Sequence, residues 1–285
     1  MALNYYINQK GEIPNTALSL TDGGALERAS RFHKTIPGYA PTPLVSLDHL
    51  AQKLGVAQVL VKDESRRFGL NAFKALGGSY AMARCLGQRL GWPEEKITFE
   101  ALMKPEVREK LGELTFVTAT DGNHGRGVAW AARQLGHKSV VYMPKGSARE
   151  RLDNIRAQGA QAEITDLNYD DAVRLANRMG KEHGWILVQD TAWPGYEEIP
   201  AWIMQGYGTM ANEAAEQLRQ AGINRPTHVF VQAGVGSLAG AVIGYFTNLF
   251  PNDPPTFVVM EARAADCLYQ GALAGDGQPR IVEGD

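Results

Sequence analysis

Lys74 stands in "LNAFKALGGSYA", residues 70–81, between an aromatic residue and a run of small residues that opens a helix. Most lysines on helices are solvated charges. An amine beside an anion-binding loop, in a partly desolvated cleft, instead has a lowered pKa and acts as a nucleophile. Such a loop is present in "VQAGVGSLAG", where Gly234, Val235, Gly236, Ser237 and Leu238 lie between a strand and a helix. Its backbone N–H groups and the positive helix end suit a phosphate. "TATDGNHGRG" supplies Thr120, Asp121, Asn123 and His124 at another strand end, Thr120, Asp121 and His124 being substrate-binding candidates along with Asp190. Asp121 there can accept a proton or pair with a cation, and Asn123 can donate and accept hydrogen bonds. Asp190, in "VQDTAW", can meet a cationic substrate group.

Each of these residues also has a plainer use. The glycines can serve a tight turn, Asp121 or Asn123 a helix cap, His124 a structural hydrogen bond, and Asp190 a cap or a solvated strand end. One ligand would use the amine and the loop together. Pyridoxal 5'-phosphate carries both an aldehyde for Lys74 and a phosphate for residues 234–238, with Asn123 near its ring. The rival ligand is a dinucleotide: Gly234, Gly236 and Ala239 match G-x-G-x-x-A, and Glu261 ends the next strand as a ribose-binding acid would. That reading leaves Lys74 without a role.

The elements that must position these residues alternate along the chain. Short β-branched runs ("AQVLVK", "LTFVTA", "KSVVYMP", "QAEITD", "WILVQD", "THVFVQ", "TFVVMEA") are separated by amphipathic segments. Helices are expected over "NAFKALGGSYAMARCLGQRL" and "HGRGVAWAARQLG", and over "SARERLDNIRAQG" opening on Ser147. Further helices are expected from about Tyr169 to His183, from about Glu198 to Gln220, and over "SLAGAVIGYFTNLF". Near-continuous apolar strands in repeated βα units predict an α/β fold, a mostly parallel sheet covered on both faces. Ligands of such sheets sit at the strand-to-helix loops. That rule selects "DESRRFGLNAFK", "TATDGNHGRG", "VQDTAW" and "VQAGVGSLAG".

Composition narrows the function classes. The 285 residues are 44% hydrophobic and 21% charged with a formal net charge of −2. Neither a basic run nor an aromatic RNA-binding box is present, so a small-molecule partner is expected and a nucleic acid is not. The N-terminus lacks a signal-peptide pattern and the longest apolar runs are too short to span a membrane. The six histidines and two cysteines, Cys85 and Cys267, show no metal-ligand spacing. A cytoplasmic protein with no metal and no membrane partner is expected.

These motifs, in this order, resemble fold type II pyridoxal-phosphate enzymes of the tryptophan synthase β group, with "YAPTPL" at residues 39–44 like the entry segment of that fold. "VKDESRRFGLNAFKALGGSYA", "TDGNHGRGVAWAA", "VYMPKGSA", "VQDTAWPGY" and "IPAWIMQGYGTM" more narrowly resemble the diaminopropionate ammonia-lyase family, from about residue 35 onward. The resemblance implies pyridoxal 5'-phosphate on Lys74, Asn123 beside its ring, the phosphate on residues 234–238, and Asp121 and Asp190 handling substrate. It implies α,β-elimination of D- and L-2,3-diaminopropionate to pyruvate and two ammonia, Lys74 and Asp121 each serving one enantiomer. A homodimer is also implied, with a large domain of residues 1–84 and 196–285 and a small mobile domain of residues 85–195. Family members continue beyond "GQPRIVEGD" with further sheet, helices and the polar group at the ring nitrogen. The alternatives are another β-eliminating lyase of threonine or serine dehydratase type, and an inactive binding protein.

Overall fold

The computed structural model describes residues 4–8, 18–278 and 280. In chain order its elements are α1 (Gly23–Lys34), β1 (Leu44–Ser46), α2 (Asp48–Leu54), β2 (Leu60–Lys62), α3 (Lys74–Leu90), α4 (Phe99–Leu102), α5 (Pro105–Leu111) and β3 (Thr115–Ala119). There follow α6 (Asn123–Gln134), β4 (Lys138–Met143), α7 (Arg149–Arg156), β5 (Gln161–Ile164), α8 (Tyr169–His183) and β6 (Ile186–Leu187). The last five are α9 (Glu198–Gln220), β7 (His228–Ala233), α10 (Ser237–Leu249), β8 (Thr256–Glu261) and α11 (Cys267–Ala274).

The predicted parallel sheet has the order β5-β4-β3-β6, with every neighbouring pair parallel. β3 lies at its centre, where Phe116, Val117, Thr118 and Ala119 are fully buried, as an apolar strand covered on both faces requires. β7 and β8 form a separate parallel pair, and β1 and β2 an antiparallel one. Here the expectation of two covered faces fails. Phe230 and Met260, on one face of the β7–β8 pair, are 64% and 52% exposed among the described residues.

Local chemistry sets most boundaries. Asn168 caps α8 by accepting from the Asp171 N–H at 2.8 Å, and Gly184 closes it in the left-handed region. Two predicted starts shift. Asn71, at φ +54, keeps the chain out of helical geometry until Lys74, which becomes the first residue of α3. The Ser147 N–H bonds back to the Pro144 carbonyl in a turn, so α7 begins at Arg149 instead.

α3 is the hub of the main core. It packs against α9 on one side and α6 on another, and its Leu76, Ala81, Met82 and Leu86 are at most 1% exposed. The crossing with α6 is close: a Cβ on Gly127 would stand 2.9–3.0 Å from the backbone of Lys74 and Ala75. No helix among the described residues is long and apolar enough to cross a membrane.

Candidate active site

Four strand-to-helix loops meet at Asp190. The Lys74 ammonium, at the head of α3, donates to Asp190 Oδ2 at 2.7 Å. His124, in the first turn of α6, brings Nδ1 to 3.6 Å from the same oxygen. Ser237, the first residue of α10, donates its hydroxyl to the Asp190 backbone carbonyl at 2.8 Å. Asp190 itself follows β6, in a segment pinned by Tyr196, which accepts from the Gln189 N–H and donates to the Leu187 carbonyl. The Gln189 side chain accepts from Thr118 and from the Ala119 N–H, locking that segment to β3.

The electrostatics follow from burial and from these neighbours. Burial disfavours a charged Asp190, but the Lys74 ammonium, by its charge and its hydrogen bond, outweighs it and holds the carboxyl below its usual range. Burial also disfavours the Lys74 ammonium; the Tyr207 oxygen and Asp190 outweigh it and push the amine above the ordinary lysine range. The lowered Lys74 pKa expected for an amine in a partly desolvated cleft beside an anion-binding loop is therefore corrected, because Asp190 pairs with the amine itself. Burial holds His124 below its ordinary value, and hence neutral. Its Nε2 lies 2.9 Å from the Val188 carbonyl, an acceptor, so the proton sits there and Nδ1 presents a lone pair.

The other predicted residues lie around this centre in different ways. Thr120 is buried, its hydroxyl accepting from the Gly122 N–H at 3.0 Å, and so shapes the loop. Asn123 is exposed at the start of α6. Asp121 lies outside the Lys74–Asp190 contact; its side chain is 73% exposed and paired with Arg151 at 3.3 Å. Gly234 has open space where a Cβ would be, and Gly236 caps α10 at φ +92. No side chain caps that helix and no acid occupies its first turn, so the N–H groups of Ser237 and Leu238 have no intrahelical partner. Val235 is 39% exposed and Leu238 is buried. Glu261, the ribose-binding candidate, accepts from the Leu268 and Tyr269 N–H groups and is committed to α11.

Sequence reasoning missed Tyr207 and Thr191. Three buried polar atoms in this region have no hydrogen-bond partner: His124 Nδ1, Thr191 Oγ1 and Tyr207 Oη. Together with the uncapped end of α10 they fit a polar group with an anionic end. Among the described residues no group of three or more His, Cys, Asp or Glu is placed to hold a metal ion.

Residues 35–284 match the family of pyridoxal-phosphate dependent enzymes. The chain belongs to that family. Among its pyridoxal-phosphate-enzyme relatives, the chain is 58% identical over 269 residues to the diaminopropionate ammonia-lyase of Salmonella typhimurium, covering 94% of this chain and 67% of that one. Identity to the diaminopropionate ammonia-lyase of Escherichia coli strain K12 is 54% over 248 residues, covering 87% of this chain and 61% of that protein. The L-threonine dehydratase IlvA of Salmonella typhimurium is 30% identical over 234 residues, 82% of this chain and 38% of that one. The chain thus spans 61–67% of the length of the ammonia-lyases it matches.

Solved structures agree. The Escherichia coli diaminopropionate ammonia-lyase in complex with D-serine superposes with a TM-score of 0.86 at 50% identity, over 92% of this chain and 66% of that one. The same enzyme with an aminoacrylate-PLP azomethine reaction intermediate gives 0.83 at 51%, over 90% and 64%. Threonine deaminase from Solanum lycopersicum, at 20% identity and a TM-score of 0.69 over 94% of this chain and 62% of that one, shares the fold. The predicted fold type II architecture is the observed one.

Proposed function

We propose that this chain carries the catalytic centre of a diaminopropionate ammonia-lyase, a pyridoxal 5'-phosphate-dependent carbon–nitrogen lyase that converts 2,3-diaminopropionate to pyruvate and two ammonia. The observation that carries the reading is the buried corner of two facing acceptors, Asp190 Oδ2 and His124 Nδ1, 3.6 Å apart beside an amine. Two acceptors at that distance are satisfied by an N–H donor between them, and a substrate with a second ammonium group brings one. When bound, pyridoxal 5'-phosphate supplies an electron sink for a carbanion at the substrate α-carbon.

Lys74 would hold that cofactor, and the end of α10 with residues 234–238 would hold its phosphate. Asn123 would lie beside its ring. Lys74 Nζ then takes the α-proton of one enantiomer and Asp121 that of the other, once its carboxylate leaves Arg151. Asp190 and His124 receive the second ammonium of the amino-acid substrate, and Thr120 keeps the loop in shape. Residues 85–195 form the small domain that closes on the large one, residues 1–84 and 196–285, and excludes water. A cytoplasmic homodimer completes the reading.

The test is the absorbance of the purified chain with pyridoxal 5'-phosphate, before and after 2,3-diaminopropionate. A lysine-imine band near ~410–420 nm that changes with the diamine and is absent from Lys74→Ala supports the reading. Pyruvate release from the diamine, set against threonine and serine, separates it from a dehydratase. A chain that takes up no pyridoxal 5'-phosphate overturns it.

A further inference from the structure

Tyr207 is a fully buried side chain in the middle of α9. Its ring meets Phe73 edge-on with centroids 5.1 Å apart, and Lys74 Nζ lies 5.5 Å from its centroid. The ring fits only because residue 77 lacks a side chain, since a Cβ on Gly77 would stand 2.6 Å from Tyr207 Cε1 and 2.8 Å from Cζ. Within this packing the hydroxyl makes no hydrogen bond of regular geometry, though it stands close enough to the Lys74 amine to favour its charged form. A buried unpaired hydroxyl destabilises the fold, and phenylalanine would fill the same volume without that cost. Beside it lies the Lys74 amine, drawn to Asp190 at 2.7 Å.

We infer that Tyr207 is a positioning residue for Lys74, its hydroxyl providing the second station that the amine occupies when it leaves Asp190. The inference rests on the reading of Lys74 as the cofactor-bearing amine, which must swing away when substrate takes its place. An ammonium at the second station donates to Oη, and a neutral amine accepts from the O–H, so one hydroxyl serves both protonation states. Burial keeps Tyr207 protonated well beyond the ordinary tyrosine range. The other groups facing the amine are Asp190 after β6, His124 on α6 and Tyr169 on α8, with Asp121 on the rim.

Tyr207→Phe tests this, because it keeps the ring and removes only the oxygen. The first readout is the pH profile of Lys74 acetylation in the full chain before pyridoxal 5'-phosphate is added, followed by peptide mass spectrometry. Loss of Oη is expected to move the profile about one unit to lower pH, a roughly tenfold faster reaction at about pH 8. Incorporating 3-fluorotyrosine at position 207, whose oxygen is a weaker acceptor, gives a smaller shift in the same direction. In the loaded chain kcat falls while KM stays. Profiles that superimpose on the wild type overturn the inference, even where the loaded chain is active. A wild-type chain that takes up no pyridoxal 5'-phosphate overturns the function while the acetylation profile still reports on Tyr207.

Discussion

Lys74 and Asp190 lie 116 residues apart and share a hydrogen bond of 2.7 Å. Each was legible alone, from a helix start and a strand end; their contact was not, because it depends on how β6 lies beside β3. Asp190→Asn removes the charge that holds the amine protonated. Lys74 is then expected to titrate lower and turnover to fall by roughly a hundredfold or more, read from kcat. Asp121 was equally legible, but the direction of its side chain is set by Arg151, 30 residues on. Asp121→Asn should leave stability within about 0.5 kcal/mol of wild type, since an exposed pair contributes little. Under the proposed function it abolishes turnover of one enantiomer, so assays with separated D and L substrate check it. Tyr207 escaped sequence reasoning because a tyrosine among apolar residues reads as core. The small residues flanking it in "QGYGTM" were the available signal.

At the scale of elements, α8 and α9 match their expected spans because an apolar periodicity runs the length of each, with Asn168 and Gly184 capping α8, whereas the start of α3 was hidden by the positive φ of Asn71. The crossings of α3 carry two predictions. Gly127→Ala forces α6 away from the Lys74 backbone, with an expected cost of about 1–3 kcal/mol in a urea titration and weaker cofactor uptake. His33, on α1, joins α3 to α9: its Nε2–H donates to the Leu76 carbonyl at 2.9 Å and its Nδ1 accepts from Thr209 at 2.7 Å. Burial lowers its pKa to about 3 in the folded chain, whereas the unfolded chain takes up that proton near the ordinary histidine value. The contribution of His33 is therefore complete above about pH 6.5 and falls by about 1.4 kcal/mol per pH unit on acidification toward about pH 4. Unfolding free energies from urea titrations across that range are expected to decline with this slope, and His33→Gln to flatten it.

The whole molecule is tied by a second charge cluster away from the site. Arg67, 1% exposed, pairs with Glu64 and Glu213, both at 2.8 Å, and Lys62 meets Glu213 at 2.7 Å. Tyr39 and Thr42 add hydrogen bonds to Glu213, so the segment before β1, the loop before α3 and the middle of α9 share one anchor. Arg67→Ala leaves Glu213 buried beside a vacated partner, and a loss of about 3–5 kcal/mol in unfolding free energy is expected from denaturant titration. The parallel α/β class was legible from strand and helix periods. This anchor was not: "DESRRFGLNAFK" reads as a strand-to-helix loop that could meet a ligand, and nothing in it points to Glu213, 146 residues beyond Arg67.

The same anchor sets an order of events during synthesis. Arg67 and Glu213 are separated by 146 residues. At about 5–20 residues per second, the arginine is translated roughly 7–30 s before its carboxylate exists. Through that interval Arg67 has Glu64 beside it but not Glu213, so half of its charged partners are absent and its full burial waits for the second carboxylate. The loop that delivers Lys74 takes its final shape only after α9 has left the ribosome.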